Sequence, residues 1–135
     1  MKKLFSVLLL SILMISALTA EAPLPATTFT LVQGLPSTMN IGETYTVIVH
    51  VESDQEFLSV QALPSFQFPG KGVVAVQGGD RAGGGTSATL EVTFQAKSST
   101  APMPDGVAPV YVVVGVRYPG GYVAVQRYAF PVMVP

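Results

Sequence analysis

Hydrophobic and polar residues alternate along most of the chain beyond residue 27, with the two-residue period of β-strands. In the segment 88–97 every even-numbered residue is apolar and every odd-numbered residue is polar. In the segment 43–52 the odd-numbered positions from Tyr45 to Val51 are apolar, and the facing positions are polar except Ile48. Both patterns predict strands with one face on a hydrophobic core and the other in water.

Glycine and proline, with 13 and 11 residues, separate further strand-like runs. The additional predicted strands are 28–32, 57–62, 73–77, 110–118 and 123–134. Pro64 is expected to end the third strand, and Pro131 is expected at a sheet edge or a bulge, because proline cannot donate a ladder hydrogen bond. The segment 110–118 is apolar on both faces except Arg117, which is typical of a central strand.

These segments give about seven strands in about 110 residues, with no amphipathic helix. The number and spacing predict an all-β fold, an immunoglobulin-like antiparallel β-sandwich. The sequence Tyr-Pro-Gly-Gly-Tyr at 118–122 predicts a hairpin turn between the last two strands.

The first 20 residues have the order of a secretory signal peptide. Lys2 and Lys3 precede an apolar run over 4–17, and small residues up to Ala20 follow. We therefore predict a signal peptide over 1–20, a flexible leader over 21–27 and a sandwich domain over 28–135. The protein is expected to be secreted or extracytoplasmic, in the periplasm or at the cell surface, with no membrane span after cleavage. An uncleaved anchor is the alternative, but the apolar run is shorter than the ~20 residues that a spanning helix needs.

Composition excludes several classes of function. Seven basic and eight acidic residues in a chain of 135 leave no basic patch for a nucleic acid. The chain has no cysteine, and therefore neither a disulfide nor a lipid-modified cysteine. With His50 as its only histidine it cannot assemble a structural zinc site, and no motif marks a catalytic nucleophile. The expectation is a protein that is not an enzyme, with no catalytic residues, no cofactor and no metal.

Three polar features have both a functional and a structural interpretation. His50 lies on the polar side of its predicted strand, which favours an exposed structural histidine. Glu52, Asp54 and Glu56 alternate after it, so they form either a solvated connection between strands or a set of oxygen ligands for Ca²⁺. The glycine-rich segment 78–85 precedes a strand rather than a helix, so a phosphate site is disfavoured and a mobile tip is predicted, with its charged residues solvated.

Tyrosines and arginines converge on the last two predicted strands. They either stabilise the sheet through cross-strand pairs or form an amphipathic binding surface. The candidate binding residues are Tyr111, Arg117, Tyr118, Tyr122, Arg127 and Tyr128. A carbohydrate site at the 118–122 hairpin requires that the tyrosines point to solvent together.

Several segments resemble the second half of prokaryotic cell-envelope immunoglobulin-like domains, the S-layer-associated and CARDB-like modules. The resemblance rests on Gly-Gly-Gly-Thr-Ser followed by alternation over 83–97, on Pro-Asp-Gly-Val-Ala-Pro-Val-Tyr-Val over 104–112, and on Val-Arg-Tyr and Tyr-Ala-Phe-Pro-Val in the last strands, 116–118 and 128–132. Ile-Gly-Glu at 41–43 is similar to the Pro-Gly-Glu entry of those modules, with isoleucine in place of proline. The resemblance covers 40–134 and implies a sandwich fold and an envelope location.

The expected function is a non-catalytic secreted or cell-envelope module acting in adhesion, assembly or scaffolding through its sheet faces or edges. Its partner is expected to be another protein or a second copy, because the last two strands carry more apolar surface than one core requires. In one variant of this hypothesis, the leader lets the strand 28–32 complete the sheet of a neighbour. The alternative function is a small-ligand, carbohydrate-binding module.

Overall fold

A computed structural model describes residues 23–135 of the chain. The predicted signal peptide, 1–20, and the first two residues of the predicted leader lie outside the described residues. Eight strands form two antiparallel sheets of four strands each. The strands are β1 (Thr27–Gln33), β2 (Thr44–Phe57), β3 (Ser59–Phe66), β4 (Val73–Ala75), β5 (Asp80–Ala82), β6 (Gly85–Ala96), β7 (Ala108–Arg117) and β8 (Val123–Val132).

The strand order confirms the predicted immunoglobulin-like sandwich. The first sheet has the order β1-β2-β6-β4 and the second has the order β5-β3-β7-β8. With the short strand β5 set aside, this is the arrangement A-B-E-D facing C-F-G of a constant-type immunoglobulin domain. β7 lies between β3 and β8, as expected for a strand that is apolar on both faces.

The core lies between the two sheets and is formed by alternate residues of the long strands. Val47, Val49 and Val51 of β2 are buried on its inner side. The even-numbered valines of β7 are buried on the inner side of the second sheet: Val110, Val112, Val114 and Val116. On β6 the even-numbered residues face inward, with Leu90 and Phe94 fully buried. The alternation read from the sequence therefore identifies the inner faces correctly.

β2 and β3 continue beyond their predicted ends. β2 continues through 53–56 to Phe57, so the residues expected to form a connection belong to a strand of the first sheet. β3 continues past Pro64 to Phe66. β5 pairs only with residues up to Ala62, so at Pro64 the strand has a partner on one side alone and a missing N–H is tolerated there.

The glycine-rich segment 78–85 contains a strand rather than a continuous tip. β5 pairs with β3, and Asp80 at its start is partly buried. The carboxylate of Asp80 accepts hydrogen bonds from the backbone N–H groups of Arg81 (2.8 Å) and Glu91 (2.8 Å). This carboxylate therefore ties β5 of the second sheet to β6 of the first, a role that the prediction of a solvated side chain missed.

Hydrogen bonds fix the start of the domain. The part of the predicted leader that is described lies against the end of β2, where Gln55 donates to the carbonyl of Pro23 (3.1 Å) and the N–H of Ala26 donates to the Asp54 carboxylate (2.9 Å). β1 itself pairs with β2 of the same chain, as an edge strand. At the other end of the chain, Pro131 lies on the edge strand β8, as predicted.

Helical structure in the described region is limited to a 3-10 turn at Pro104–Gly106. None of the helical structure found between residues 23 and 135 has the length and apolar character needed to span a membrane.

Candidate functional site

The outer face of the second sheet is apolar at its centre. The strand register places Leu63 of β3 beside Val113 of β7, while Val123 and Val125 of β8 lie in neighbouring rows. Leu63, Val123 and Val125 are exposed, and Val125 retains 61% of its accessible surface. Alternate residues of these strands point either to the core or to water, so this apolar strip faces away from the sandwich.

Gly115 creates a depression in the strip. It lies between Gln61 of β3 and Val125 of β8, and no other atom lies within 4 Å of the position that a Cβ would occupy. The resulting shallow groove has a volume of about 270 Å³ and is bordered by Leu63 and Val113. A glycine inside a strand often marks a bulge, a bend, or a site where a ligand or another backbone approaches closely.

All three arginines of the chain lie on this same face. Arg81 is in register with Gln61 and lies 3.5 Å from its side-chain oxygen. Arg117 borders the groove. The guanidinium carbon of Arg127 lies 3.9 Å from the centre of the Tyr111 ring, a cation–π contact that holds the arginine flat on the sheet.

The strands of the first sheet have the opposite charge. They contain no lysine or arginine, and they carry the carboxylates of Glu52, Asp54, Glu56 and Glu91. Glu52 and Glu91 are exposed on the outer face of that sheet, among threonines. In the second sheet the only acidic residue within a strand is Asp80, whose carboxylate binds the backbone of β6 and so points toward the first sheet. The two outer faces of the sandwich are therefore electrostatically complementary.

The six candidate binding residues separate into three groups. Tyr111, Arg117 and Arg127 share the outer face just described. Tyr128 faces inward and packs against the core, where burial raises the pKa of its phenol. The remaining pair, Tyr118 and Tyr122, lies at the hairpin turn.

Tyr118 is a structural residue, with only 2% of its surface exposed. Its hydroxyl donates to Ser53 Oγ (2.7 Å) and lies 2.6 Å from Thr27 Oγ1, so it joins the hairpin to the start of β1 and the end of β2. Tyr122 packs on the Tyr118 ring with 5.7 Å between ring centres. The tyrosines do not point to solvent together, so the platform that a carbohydrate site requires is not formed.

His50 lies on the outer face of the first sheet, on β2. Its Nδ1 is 2.8 Å from Thr89 Oγ1, and its Nε2 is 3.1 Å from a carboxylate oxygen of Glu52. Within residues 23–135 no three histidine, cysteine, aspartate or glutamate side chains come together in a group that could hold a metal ion. Of the three alternating carboxylates, Asp54 accepts a backbone hydrogen bond from the leader.

The sequence signal for the outer face was incomplete. Its apolar residues were visible in the last two strands, but Arg81 and Leu63 belong to strands whose pairing or extent was not predicted. The presence of a short strand opposite Gln61 was the missing information. Neither a protein-family model nor a curated protein matches this chain.

Proposed function

We propose that this chain is a non-catalytic module of the cell envelope or the extracellular space whose copies assemble face to back. In this assembly the outer face of the second sheet binds the outer face of the first sheet of a second copy. The observation that carries the proposal is the exposed apolar strip around Gly115, bordered by all three arginines of the chain.

The apolar strip supplies a driving force for association. Leu63, Val123 and Val125 are exposed around one groove rather than singly, and clustered exposed apolar groups on a domain surface commonly mark an interaction site. Their burial contributes roughly 25 cal/mol for each Å² of apolar surface removed from water. The depression at Gly115 gives a partner side chain a place to enter.

Charge selects the partner surface. A face with three arginines and no outward carboxylate favours an acidic partner, and the threonine-lined face carrying Glu52 and Glu91 is such a surface on a second copy. A contact between two different faces is heterologous, so it repeats from copy to copy and builds rings or filaments. A heterologous contact of this kind favours assembly or scaffolding over a closed dimer.

The remaining parts of the proposal rest on the sequence. The signal-peptide pattern over 1–20 and the resemblance to prokaryotic cell-envelope modules support export. A non-catalytic role is supported by His50, the only histidine, which lies on a sheet face bonded to a threonine and a glutamate. Amino-terminal sequencing of the protein from fractionated cells tests export. We expect the protein outside the cytoplasm to begin at Glu21. A cytoplasmic protein that retains Met1 would overturn this part.

Sedimentation velocity over a range of protein concentrations tests the assembly. The Val125→Glu variant places a carboxylate in the strip, and we expect it to abolish concentration-dependent species larger than a monomer. Ile41→Glu is the matched control, because Ile41 has the same 61% exposure and lies in a turn outside both faces. We expect that control to assemble like the wild type.

Salt provides a second criterion, since the proposed contact is partly electrostatic. Raising the ionic strength shortens the range of charge interactions and should weaken assembly. A wild-type protein that remains monomeric at high concentration refutes self-assembly, and equal effects of Val125→Glu and Ile41→Glu refute the assignment to this face.

A further inference from the structure

A cleft of about 590 Å³ opens at the end of the sandwich opposite to the 118–122 hairpin. It lies between the β3–β4 loop, which carries Phe68 and Lys71, and the β6–β7 loop, which carries Ser98 and Met103. Two prolines of the second loop complete the apolar wall. Clefts of 300 to 1,000 Å³, mainly apolar and with few polar groups, are typical small-molecule sites.

Hydrogen bonds hold the two loops together. The N–H of Gly72 donates to Ser98 Oγ (2.9 Å), and the carbonyl of Gly72 accepts hydrogen bonds from the N–H groups of Lys97 (2.6 Å) and Ser98 (3.1 Å). Gly72 has a positive φ of 71°, and a Cβ there would lie 3.1 Å from the Met103 side chain. The cleft walls are therefore fixed relative to each other before any ligand binds.

The side-chain groups of the cleft that remain available to a ligand are hydrogen-bond donors. Ser98 Oγ accepts the Gly72 bond, and within residues 23–135 its own proton has no protein acceptor. Lys71 has no ion-pair partner in that same stretch. Ser99 is already engaged, because its hydroxyl donates to the carbonyl of Val134 (3.3 Å). No carboxylate lines the cleft, so a positive charge and a free hydroxyl adjoin an apolar surface.

We infer that this cleft binds a small monocarboxylate with an apolar body. The carboxylate lies beside the Lys71 ammonium and the Ser98 hydroxyl, which supply charge-assisted hydrogen bonds. The apolar body packs against Phe68 and Met103. The cleft is formed by loops at one end of the domain, whereas the proposed assembly uses the sheet faces, so each site is testable without the other.

Octanoate is a suitable probe, with octanol as an uncharged molecule of the same length. Titration of each into the isotope-labelled protein, followed by NMR, gives both the location and the affinity. We expect octanoate to shift resonances of Phe68, Lys71 and Met103 and to bind about tenfold or more tightly than octanol. Equal affinities for the two probes, or shifts located elsewhere, would overturn the inference.

Four variants make the test specific. Lys71→Met keeps the length of the side chain but removes its charge, and we expect a loss of octanoate affinity of about tenfold or more. Lys97→Met is the matched control, since Lys97 is the other lysine of the described region but does not line the cleft.

Met103→Glu adds a carboxylate inside the cleft and should abolish binding. Val125→Glu should leave octanoate binding unchanged, which separates this site from the assembly face. An unaffected Lys71→Met variant refutes the role of the charge.

Discussion

The substitution Thr100→Val removes a single buried hydroxyl that joins two parts of the chain. Thr100 is 0% exposed and lies in the loop between β6 and β7. Its hydroxyl donates to the carbonyl of Gly106 (2.6 Å) and accepts from the N–H of Val134 (2.9 Å). Valine has nearly the same shape, so the substitution preserves packing and removes both hydrogen bonds.

The cost follows from the groups that lose their partner. The N–H of Val134 is buried, and leaving a buried group unpaired costs about 1–3 kcal/mol. The carbonyl of Gly106 belongs to a partly exposed residue, so water replaces part of its lost bond. Together these effects predict a loss of about 2–4 kcal/mol in the free energy of unfolding. This is a large share of the ~5–15 kcal/mol that stabilises a typical domain.

Urea denaturation measures this loss, with tyrosine fluorescence and circular dichroism as probes, since the chain has no tryptophan. Thr100→Ser is the control, because it keeps the hydroxyl and loses only a methyl group, at a cost of about 0.5–1.5 kcal/mol. We expect the valine variant to be the less stable of the two. If the valine variant equals or exceeds the serine variant in stability, the hydrogen bond from the Val134 N–H to the Thr100 hydroxyl does not stabilise the fold.

Three further predictions concern other contacts. Tyr118→Phe removes both hydrogen bonds of the phenol and should lower the free energy of unfolding by about 1–2 kcal/mol, with faster amide exchange at the start of β1; unchanged exchange there would contradict this role. The hydrogen bond and the negative charge of Glu43 raise the pKa of Tyr45, so the folded state holds that proton more tightly than the unfolded state does. The stabilisation from this difference should be fully present below about pH 10 and should be lost as the pH rises further. Tyr45→Phe should therefore flatten the fall in the free energy of unfolding at high pH, measured by unfolding at a series of pH values. Gly79→Ala should destabilise the fold by about 1–3 kcal/mol in thermal unfolding, because φ is 125° and a Cβ would lie 2.5 Å from a backbone oxygen, whereas Gly78→Ala, with open space around it, should have little effect.

The long strands were predictable because burial acts on alternate residues within one segment. In β6 and β2 the inner faces follow directly from the two-residue period, and the apolar sequence of β7 indicates its central position. β5 was not predictable, since three residues carry no periodicity and their strand state depends on pairing with residues about 20 positions earlier. The continuation of β2 through 53–56 was missed because all four residues are polar, so no alternation marks the strand there.

The candidate site was only partly predictable for a related reason. Residues near one another in the sequence, such as Tyr118 and Tyr122, indicated a surface, but Tyr118 lies beyond the end of β7 and turns into the core. The convergence of Arg81 with Arg117 depends on the register of three strands. The cleft beside Lys71 is formed by two loops about 30 residues apart, and neither loop has a pattern that indicates a pocket.

Directed disulfide formation between copies tests the face-to-back assembly most directly, because the natural chain has no cysteine. Val125→Cys places a thiol on the outer face of the second sheet, and Thr89→Cys places one on the outer face of the first. When the two variants are mixed under mild oxidation, we expect the mixed dimer to form faster than either homodimer. Homodimers of Val125→Cys forming fastest, or mixed dimers forming no faster than with Ile41→Cys in place of Val125→Cys, would contradict the proposed assembly.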